Sequence, residues 1–196
     1  MRVLLVGASG AVGQAAKRGL AAQHEVVEVS RSTTPSVDLT DPASIAAMYD
    51  AVGEIDAMVC CAGSVPFKPL LELTLEDYRA GLDDKTLGQV ELVRQGLEKV
   101  RDGGSFTLTT GVTARDQFAT AAAAALASGA LESFVMAAAA ELPRGLRINA
   151  VSPDVLLASP GYHDYFPGHV PVTDEAVAAA YVRSVDGVET GRVFPV

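Results

Sequence analysis

Short apolar runs of strand length alternate along the chain with longer stretches in which apolar residues recur at helical spacing. Six runs predict strands, and the two residues Ser36–Val37 predict a very short seventh. The six are Arg2–Val6, Val26–Ser30, Asp56–Cys60, Ser105–Thr109, Leu146–Val151 and Gly191–Val196. Runs that are apolar throughout are typical of strands buried on both faces, as in a parallel sheet.

Helices are predicted between these strands, several of them with capping residues at their start. Asp41 followed by Pro42, and Thr74 followed by acidic residues, are typical helix beginnings. The predicted helices are Gln14–Ala22, Asp41–Val52, a long one from Thr74 whose apolar stripe reaches Val100, Gln117–Leu142 and Thr173–Ser184. Alternating strands and helices predict an α/β fold: one domain over residues 1–196, with a doubly wound parallel sheet of six to seven strands and helices on both faces.

Ligands in such sheets bind beyond the carboxyl ends of the strands, and the first of these ends carries three glycines. Gly7, Gly10 and Gly13 lie between the first predicted strand and the first helix. Strand, glycine turn and helix together place a dinucleotide pyrophosphate on the helix N-terminus. The spacing G-x-x-G-x-x-G differs from the commoner G-x-G-x-x-G, and the alternative is an ordinary turn between strand and helix.

The second strand ends in Ser30-Arg31-Ser32, where such folds face the adenosine ribose. An acidic residue there suits the 2′-hydroxyl of NAD, whereas arginine with hydroxyls suits the 2′-phosphate of NADP. Glu28 lies two residues short of the strand tip, so the pattern favours NADP. The alternative for Arg31 is a solvated loop arginine.

Composition narrows the classes of partner. A net charge of −9 argues against a nucleic-acid or anionic-membrane surface. The longest apolar run, Ala121–Ala127, is shorter than the roughly 18 residues that a membrane span requires, and no signal peptide is visible. Cys60 and Cys61 are interpreted as core residues in a reducing cytoplasm. We assign no metal site.

Several stretches of the chain together resemble the short-chain dehydrogenase/reductase family over essentially its whole length. They are GASGAVG, SRS, VDLTD, CCAG and ALESFVMAAAAELPRGLRINAVSP. The resemblance implies a set of contacts to the dinucleotide cofactor, with Asp154 standing where the family commonly has glycine. The implied contacts are Gly7, Ser9, Gly10, Ala11, Val12, Gly13, Arg31, Ser32, Asp38, Leu39, Cys61, Ala62, Gly63, Pro153 and Val155.

The chain departs from the family at the catalytic residues. Family members use a Tyr-x-x-x-Lys pair on one helix, in which tyrosine protonates the substrate oxygen and lysine lowers the tyrosine pKa. The resemblance places this pair at Ala124 and Ser128, which cannot do that chemistry. The assisting serine corresponds to Thr110 or its neighbour Thr109, and the assisting asparagine falls at or near Lys85.

Thr110 and Lys85 are therefore the candidate catalytic residues. A partly buried Lys85 would have a lowered pKa and could donate a proton. The alternative for Lys85 is a solvated lysine on a charged helix face. A tyrosine of the irregular lid segment 155–172, Tyr162 or Tyr165 with His163 and His169 nearby, is a second possible donor.

The leading hypothesis is an NADP(H)-dependent oxidoreductase acting on a small carbonyl compound or alcohol with an atypical proton donor. One alternative is a non-catalytic NADP(H)-binding sensor or regulatory protein. Another is a non-redox enzyme, such as a dehydratase or cyclase, that reuses the cleft. The expected partner is a small-molecule substrate, without nucleic acid or membrane. The alanine-rich helix 117–142 and the habit of the family predict a homodimer or homotetramer.

Overall fold

The computed structural model describes residues 1–196 and has one parallel sheet of six strands in the order β2-β1-β3-β4-β5-β6. All five neighbouring pairs run parallel. The strands are β1 Arg2–Val6, β2 Glu25–Val29, β3 Ile55–Cys60, β4 Val100–Thr109, β5 Arg147–Ser152 and β6 Val193–Pro195. The chain extends the sheet in one direction from β1 to β2 and in the opposite direction from β3 to β6. The prediction of a doubly wound parallel sheet is therefore confirmed.

Helices cover both faces of the sheet. They are α1 Ala11–Leu20, α2 Pro42–Val52, α3 Leu75–Gly81, α4 Gly88–Gly96, α5 Ala122–Ala139 and α6 Asp174–Asp186. A π-helical segment, Leu82–Leu87, joins α3 to α4. Alternate residues of β1 point to opposite layers: Val3 and Leu5 pack with α1 and α6, whereas Leu4 and Val6 pack with α2, α4 and α5. This double burial explains why β1 is apolar throughout.

Several predicted elements or boundaries are wrong, and three of them have a clear physical reason. Ser36–Val37 forms no strand, because only one bridge joins Ser30 to Ser36 before the chain turns away. Val100 begins β4 and does not end a helix, because it is buried and pairs with Ile55. Helix α5 begins at Ala122 and not at Gln117, because Thr120 has a φ of 66°, which is incompatible with an α-helix.

Helix α5 also alters the expectation about membranes. Its 18 residues have a mean hydropathy of 1.5, so by length and composition alone this helix could cross a membrane. The uninterrupted apolar run Ala121–Ala127 covers only part of this helix, so it did not predict a span. One such helix is weak evidence, since core helices pass the same test. The face of α5 that carries Ala127, Leu131 and Val135 is fully buried, and its Leu131 and Val135 pack into the core beneath the sheet.

Candidate functional site

The turn between β1 and α1 and the first turn of α1 are packed so tightly that the chain itself requires glycine at one position in each. Gly7 has a φ of 84°, and a Cβ there would lie 2.7 Å from the backbone nitrogen of Ala62. A Cβ on Gly13 would lie 2.1 Å from the carbonyl oxygen of Gly7. Both positions exclude any larger residue, because backbone atoms cannot move out of the way.

Gly10 differs from Gly7 and Gly13. It is the N-cap of α1, with a φ of −76° and a ψ of 165°, a conformation that any residue adopts. A Cβ there would meet only the carbonyl oxygen of Gly7, at an ordinary 3.7 Å. Gly10 makes no side-chain cap, so the first N–H groups of α1 are free to bind an anion. The chain thus keeps open space where a phosphate would approach.

A cleft of about 1360 Å³ lies beyond the carboxyl ends of β1, β2 and β3. Ten of the fifteen predicted cofactor residues line it: Gly7, Ser9, Gly10, Arg31, Ser32, Asp38, Leu39, Cys61, Ala62 and Gly63. The other five do not line this cleft. Ala11, Val12 and Gly13 form the first turn of α1, whereas Pro153 and Val155 follow β5 and are buried.

The charged residues around the carboxyl end of β2 leave Arg31 without an ion-pair partner. Glu28 forms an ion pair with Lys17 of α1 at 2.7 Å and does not line the cleft. Asp38 accepts hydrogen bonds from the backbone N–H and the hydroxyl of Thr40, at 2.9 and 2.8 Å. These bonds, with a smaller contribution from Arg31, lower the pKa of Asp38. Arg31 forms no ion pair and lines the cleft beside Ser32.

Lys85 lies in the π-helical segment, immediately behind one wall of the cleft. A Cβ on Gly63 would lie 2.8 Å from the Cα of Lys85, so the loop after β3 packs directly against this segment. The half-buried ammonium donates to the carbonyl oxygen of Thr110 at 3.0 Å. Burial lowers the pKa of Lys85 to about 8. Lys85 and Thr110 are therefore in contact, although neither lines the cleft. π-Helical turns often occur at functional sites.

The structure distinguishes the two threonines at the end of β4. The Thr109 hydroxyl donates to the carbonyl oxygen of Cys60 at 2.5 Å and lies 2.6 Å from the Tyr181 hydroxyl, so it belongs to the core. The Thr110 hydroxyl donates to Oε1 of Glu132 at 3.0 Å. Burial raises the pKa of the neighbouring Cys61 thiol to about 11, so that thiol is not a nucleophile at neutral pH.

Glu132 connects Thr110 to a chain of polar side chains. Its Oε1 also forms an ion pair with Arg115, which donates through Nη2 to the Ser152 hydroxyl at 2.7 Å. Glu132 and Arg115 are not among the site residues predicted from the sequence. The signal was present for Glu132, because positions 124, 128 and 132 lie on one face of a helix.

The resemblance places the family's tyrosine and lysine at Ala124 and Ser128, which are small residues and are buried here. Ala124 is 4% exposed and Ser128 is fully buried. The Ser128 hydroxyl has no hydrogen-bond partner. A Cβ built on Gly111 would come no closer than 3.8 Å to this hydroxyl or to that of Thr113. The unpartnered Ser128 hydroxyl therefore lies close to the backbone that follows Thr110.

The lid segment 155–172 contributes no tyrosine to this group. Its ends are joined by backbone hydrogen bonds between Val155 and Val172 and between Leu157 and Val172. Tyr162 and Tyr165 are 55% and 43% exposed, and neither lines the cleft.

The two lid histidines are held by the base of the lid. His163 bonds through Nε2 to the Leu156 carbonyl at 2.9 Å, and His169 bonds through Nδ1 to Asp154 at 2.5 Å.

Comparison with known proteins gives a consistent result. The family model described as Enoyl-(Acyl carrier protein) reductase matches residues 3–186. Hydroxynaphthalene reductase arp2 of Aspergillus fumigatus is 29% identical over 155 residues, which are 75% of this chain and 57% of that protein's length. The crystal structure of lin1944 from Listeria innocua is 43% identical, with a TM-score of 0.98 over 100% of this chain and 99% of that one. A small-chain dehydrogenase in complex with NADPH has the same fold, at 23% identity and a TM-score of 0.87 over 100% of this chain and 96% of that one.

Proposed function

The chain belongs to the short-chain dehydrogenase/reductase family, and on that basis we propose that it is an NADP(H)-dependent oxidoreductase acting on a small carbonyl compound or alcohol. The observation that carries the proposal is the open space above Gly10. Neither the backbone conformation nor the packing of the chain requires glycine there. A dinucleotide pyrophosphate at the N-terminus of α1 does require it, because a side chain would block its approach.

The residues of the cleft fit NADP(H) better than NAD(H). Arg31 and Ser32 present a cation and a hydroxyl at the ribose position, which suits a 2′-phosphate. The acid that could hold a 2′-hydroxyl, Glu28, is paired with Lys17. The NADPH complex of a protein with this fold supports the same choice. Bound NADP(H) would supply the hydride chemistry, and the protein binds it and orients the substrate.

Lys85 and Thr110 are the residues that we propose to act at the substrate oxygen. The Lys85 ammonium uses one of its three hydrogens on the Thr110 carbonyl, so two remain for a substrate. With a pKa of about 8 it is positively charged at neutral pH and stabilises negative charge that develops on that oxygen. The half-buried setting strengthens this interaction because little water screens it.

One observation favours a second candidate function, an NADP(H)-binding regulatory protein without turnover. Ala124 and Ser128 stand where the family has its proton donor and lysine, and no lid tyrosine reaches the site. Loss of a general acid lowers a rate by about 10²–10⁴-fold without affecting cofactor binding.

An activity screen separates the two functions. Purified protein is mixed with NADPH and a panel of small aldehydes and ketones, and with NADP⁺ and the corresponding alcohols, while nicotinamide absorbance is followed. We expect turnover in the wild type and in Lys99→Met, whose lysine is paired with Asp50 on the protein surface, and none in Lys85→Met. NADPH binding without turnover of any compound would favour the regulatory protein.

The proposal includes a homodimer or homotetramer in the cytoplasm. Leu126 and Met136 of α5 are 47% and 59% exposed, so this helix has apolar side chains available for a contact between subunits. Cys60 and Cys61 form no disulfide, in keeping with a reducing compartment. A monomeric mass by light scattering would refute the assembly.

A further inference from the structure

We propose that Glu132 takes up the proton of an alcohol substrate through the hydroxyl of Thr110, and returns it by the same route when a carbonyl compound is reduced. The proposal rests on the redox function proposed above and identifies the proton carrier of that reaction. Glu132 does not contact the substrate itself. It acts through Thr110, which does.

The first step of the argument is the direction of one hydrogen bond. An ionised carboxylate has no hydrogen to donate, so the bond of 3.0 Å between Thr110 and Glu132 uses the single hydrogen of the Thr110 hydroxyl. The threonine oxygen is then left only with lone pairs. It can accept a hydrogen bond from a substrate hydroxyl but cannot donate one to a carbonyl while Glu132 is ionised.

The second step is the setting of Glu132. Its side chain is 14% exposed, and the Arg115 guanidinium pairs with the same oxygen that accepts from Thr110. Arg115 is in turn fixed by Ser152 at the end of β5. Thr110 and Arg115 thus hold the carboxylate in place, and the Glu132 side chain, which is itself 14% exposed, can release a proton directly to solvent.

The third step is the unpartnered hydroxyl close to Thr110. Ser128 lies one helical turn before Glu132 on the same face of α5, fully buried and without a hydrogen-bond partner. A Cβ on Gly111, the residue after Thr110, would lie 3.8 Å from this hydroxyl. A buried hydroxyl without a partner is costly, and a substrate oxygen bound next to Thr110 would satisfy it.

Lys85 is unsuited to accept the proton. Below its pKa of about 8 the side chain is an ammonium ion, which has no lone pair, and it already donates to the Thr110 carbonyl. Its charge favours the alkoxide character of the substrate oxygen, whereas the proton needs a separate acceptor. Glu132 is the carboxylate bonded to the adjacent hydroxyl.

When an alcohol substrate is oxidised, its O–H bond breaks and the proton binds to the Thr110 oxygen, while the original Thr110 proton moves to Oε1 of Glu132. The C–H bond breaks with its electron pair, the hydride is accepted by the oxidised nicotinamide, and a C=O bond forms. Glu132 is left as a neutral carboxylic acid and releases its proton to solvent. Reduction reverses every transfer.

The kinetic test uses Glu132→Gln, Thr110→Val and Thr110→Ser, with Glu141→Gln as the control for an exposed glutamate just beyond the end of α5. We expect Glu132→Gln and Thr110→Val to lower kcat for alcohol oxidation by about 10²–10⁴-fold with little change in KM. Thr110→Ser keeps the hydroxyl and should recover most of the activity that Thr110→Val loses, whereas Glu141→Gln should behave as the wild type. Added formate should partly restore Glu132→Ala, because it replaces the missing carboxylate.

The outcomes separate the relay from the function on which it rests. A wild type that oxidises alcohols at the same rate as Glu132→Gln overturns the relay alone. A wild type that binds NADPH but turns over no alcohol or carbonyl compound overturns the proposed function, and the relay with it.

Discussion

Replacement of Lys85 by methionine should make the protein more stable while it removes turnover. Burial lowers the pKa of this lysine from 10.5 to about 8, so the charged form is less favourable in the folded protein than in the unfolded chain. At about 1.4 kcal/mol per pKa unit, the charge destabilises the fold by about 3 kcal/mol at pH 7. Methionine removes this cost but also removes the hydrogen bond to the Thr110 carbonyl, worth about 1 kcal/mol. The net expectation is a gain of about 2 kcal/mol.

The pH dependence gives this prediction its sign. Between pH 8 and 10.5 the unfolded chain still holds the Lys85 proton and the folded protein does not, so the stability of the wild type rises with pH in that window. The free energies of unfolding of wild type and Lys85→Met should therefore converge by about 2 kcal/mol between pH 7 and pH 9.5. Urea unfolding at both pH values measures this difference. The contributions of the other titrating groups are common to both proteins and therefore cancel. Lys99→Met should show no such trend, since Lys99 is a surface lysine paired with Asp50. A Lys85→Met protein that is less stable than the wild type at pH 7, by a difference that does not change with pH, would refute the burial of the Lys85 ammonium group.

Three further variants test the architecture around the site. Gly10→Ala should leave the melting temperature unchanged, because its Cβ meets only one atom at 3.7 Å, yet weaken NADPH binding by about tenfold, or about 1.4 kcal/mol. Gly13→Ala is the contrasting variant: its Cβ would lie 2.1 Å from the Gly7 carbonyl oxygen, so thermal denaturation should show a clear loss of stability. Thr109→Val should lower the free energy of urea unfolding by about 1–3 kcal/mol, because the Cys60 carbonyl and the Tyr181 hydroxyl lose a buried partner. An unchanged Thr109→Val protein would remove Thr109 from the core network.

The sheet and the position of the cleft could be predicted because they depend on local pattern. β1 is apolar throughout since both of its faces are buried, and Gly7 follows it because the turn needs a positive φ. The same reasoning failed for Ser36–Val37, which has strand composition but is too short to continue beyond a single bridge. Val100 fitted the helical stripe by spacing, although it begins β4 after the helix has already ended at Gly96.

The candidate catalytic region was harder to predict from the sequence, because its contacts join distant parts of the chain. Lys85 could be singled out by its place in the sequence, but its bond to the Thr110 carbonyl spans 25 residues. Glu132 and Arg115 are ordinary helix and loop residues until the fold places them on Thr110 and on each other. Sequence spacing alone could not distinguish Thr109 from Thr110, since they are adjacent and differ only in the direction in which each side chain points.

The most direct test of the central claim is a fluorescence titration of the protein with NADPH and with NADH. The account predicts micromolar or tighter binding of NADPH, about −8 kcal/mol, and clearly weaker binding of NADH. Arg31→Ala should weaken NADPH far more than NADH, while Arg192→Ala, which lies outside the cleft, should change neither. Equal losses for both nucleotides in Arg31→Ala would contradict the role of Arg31. No binding of either nucleotide by the wild type would contradict the cofactor assignment itself.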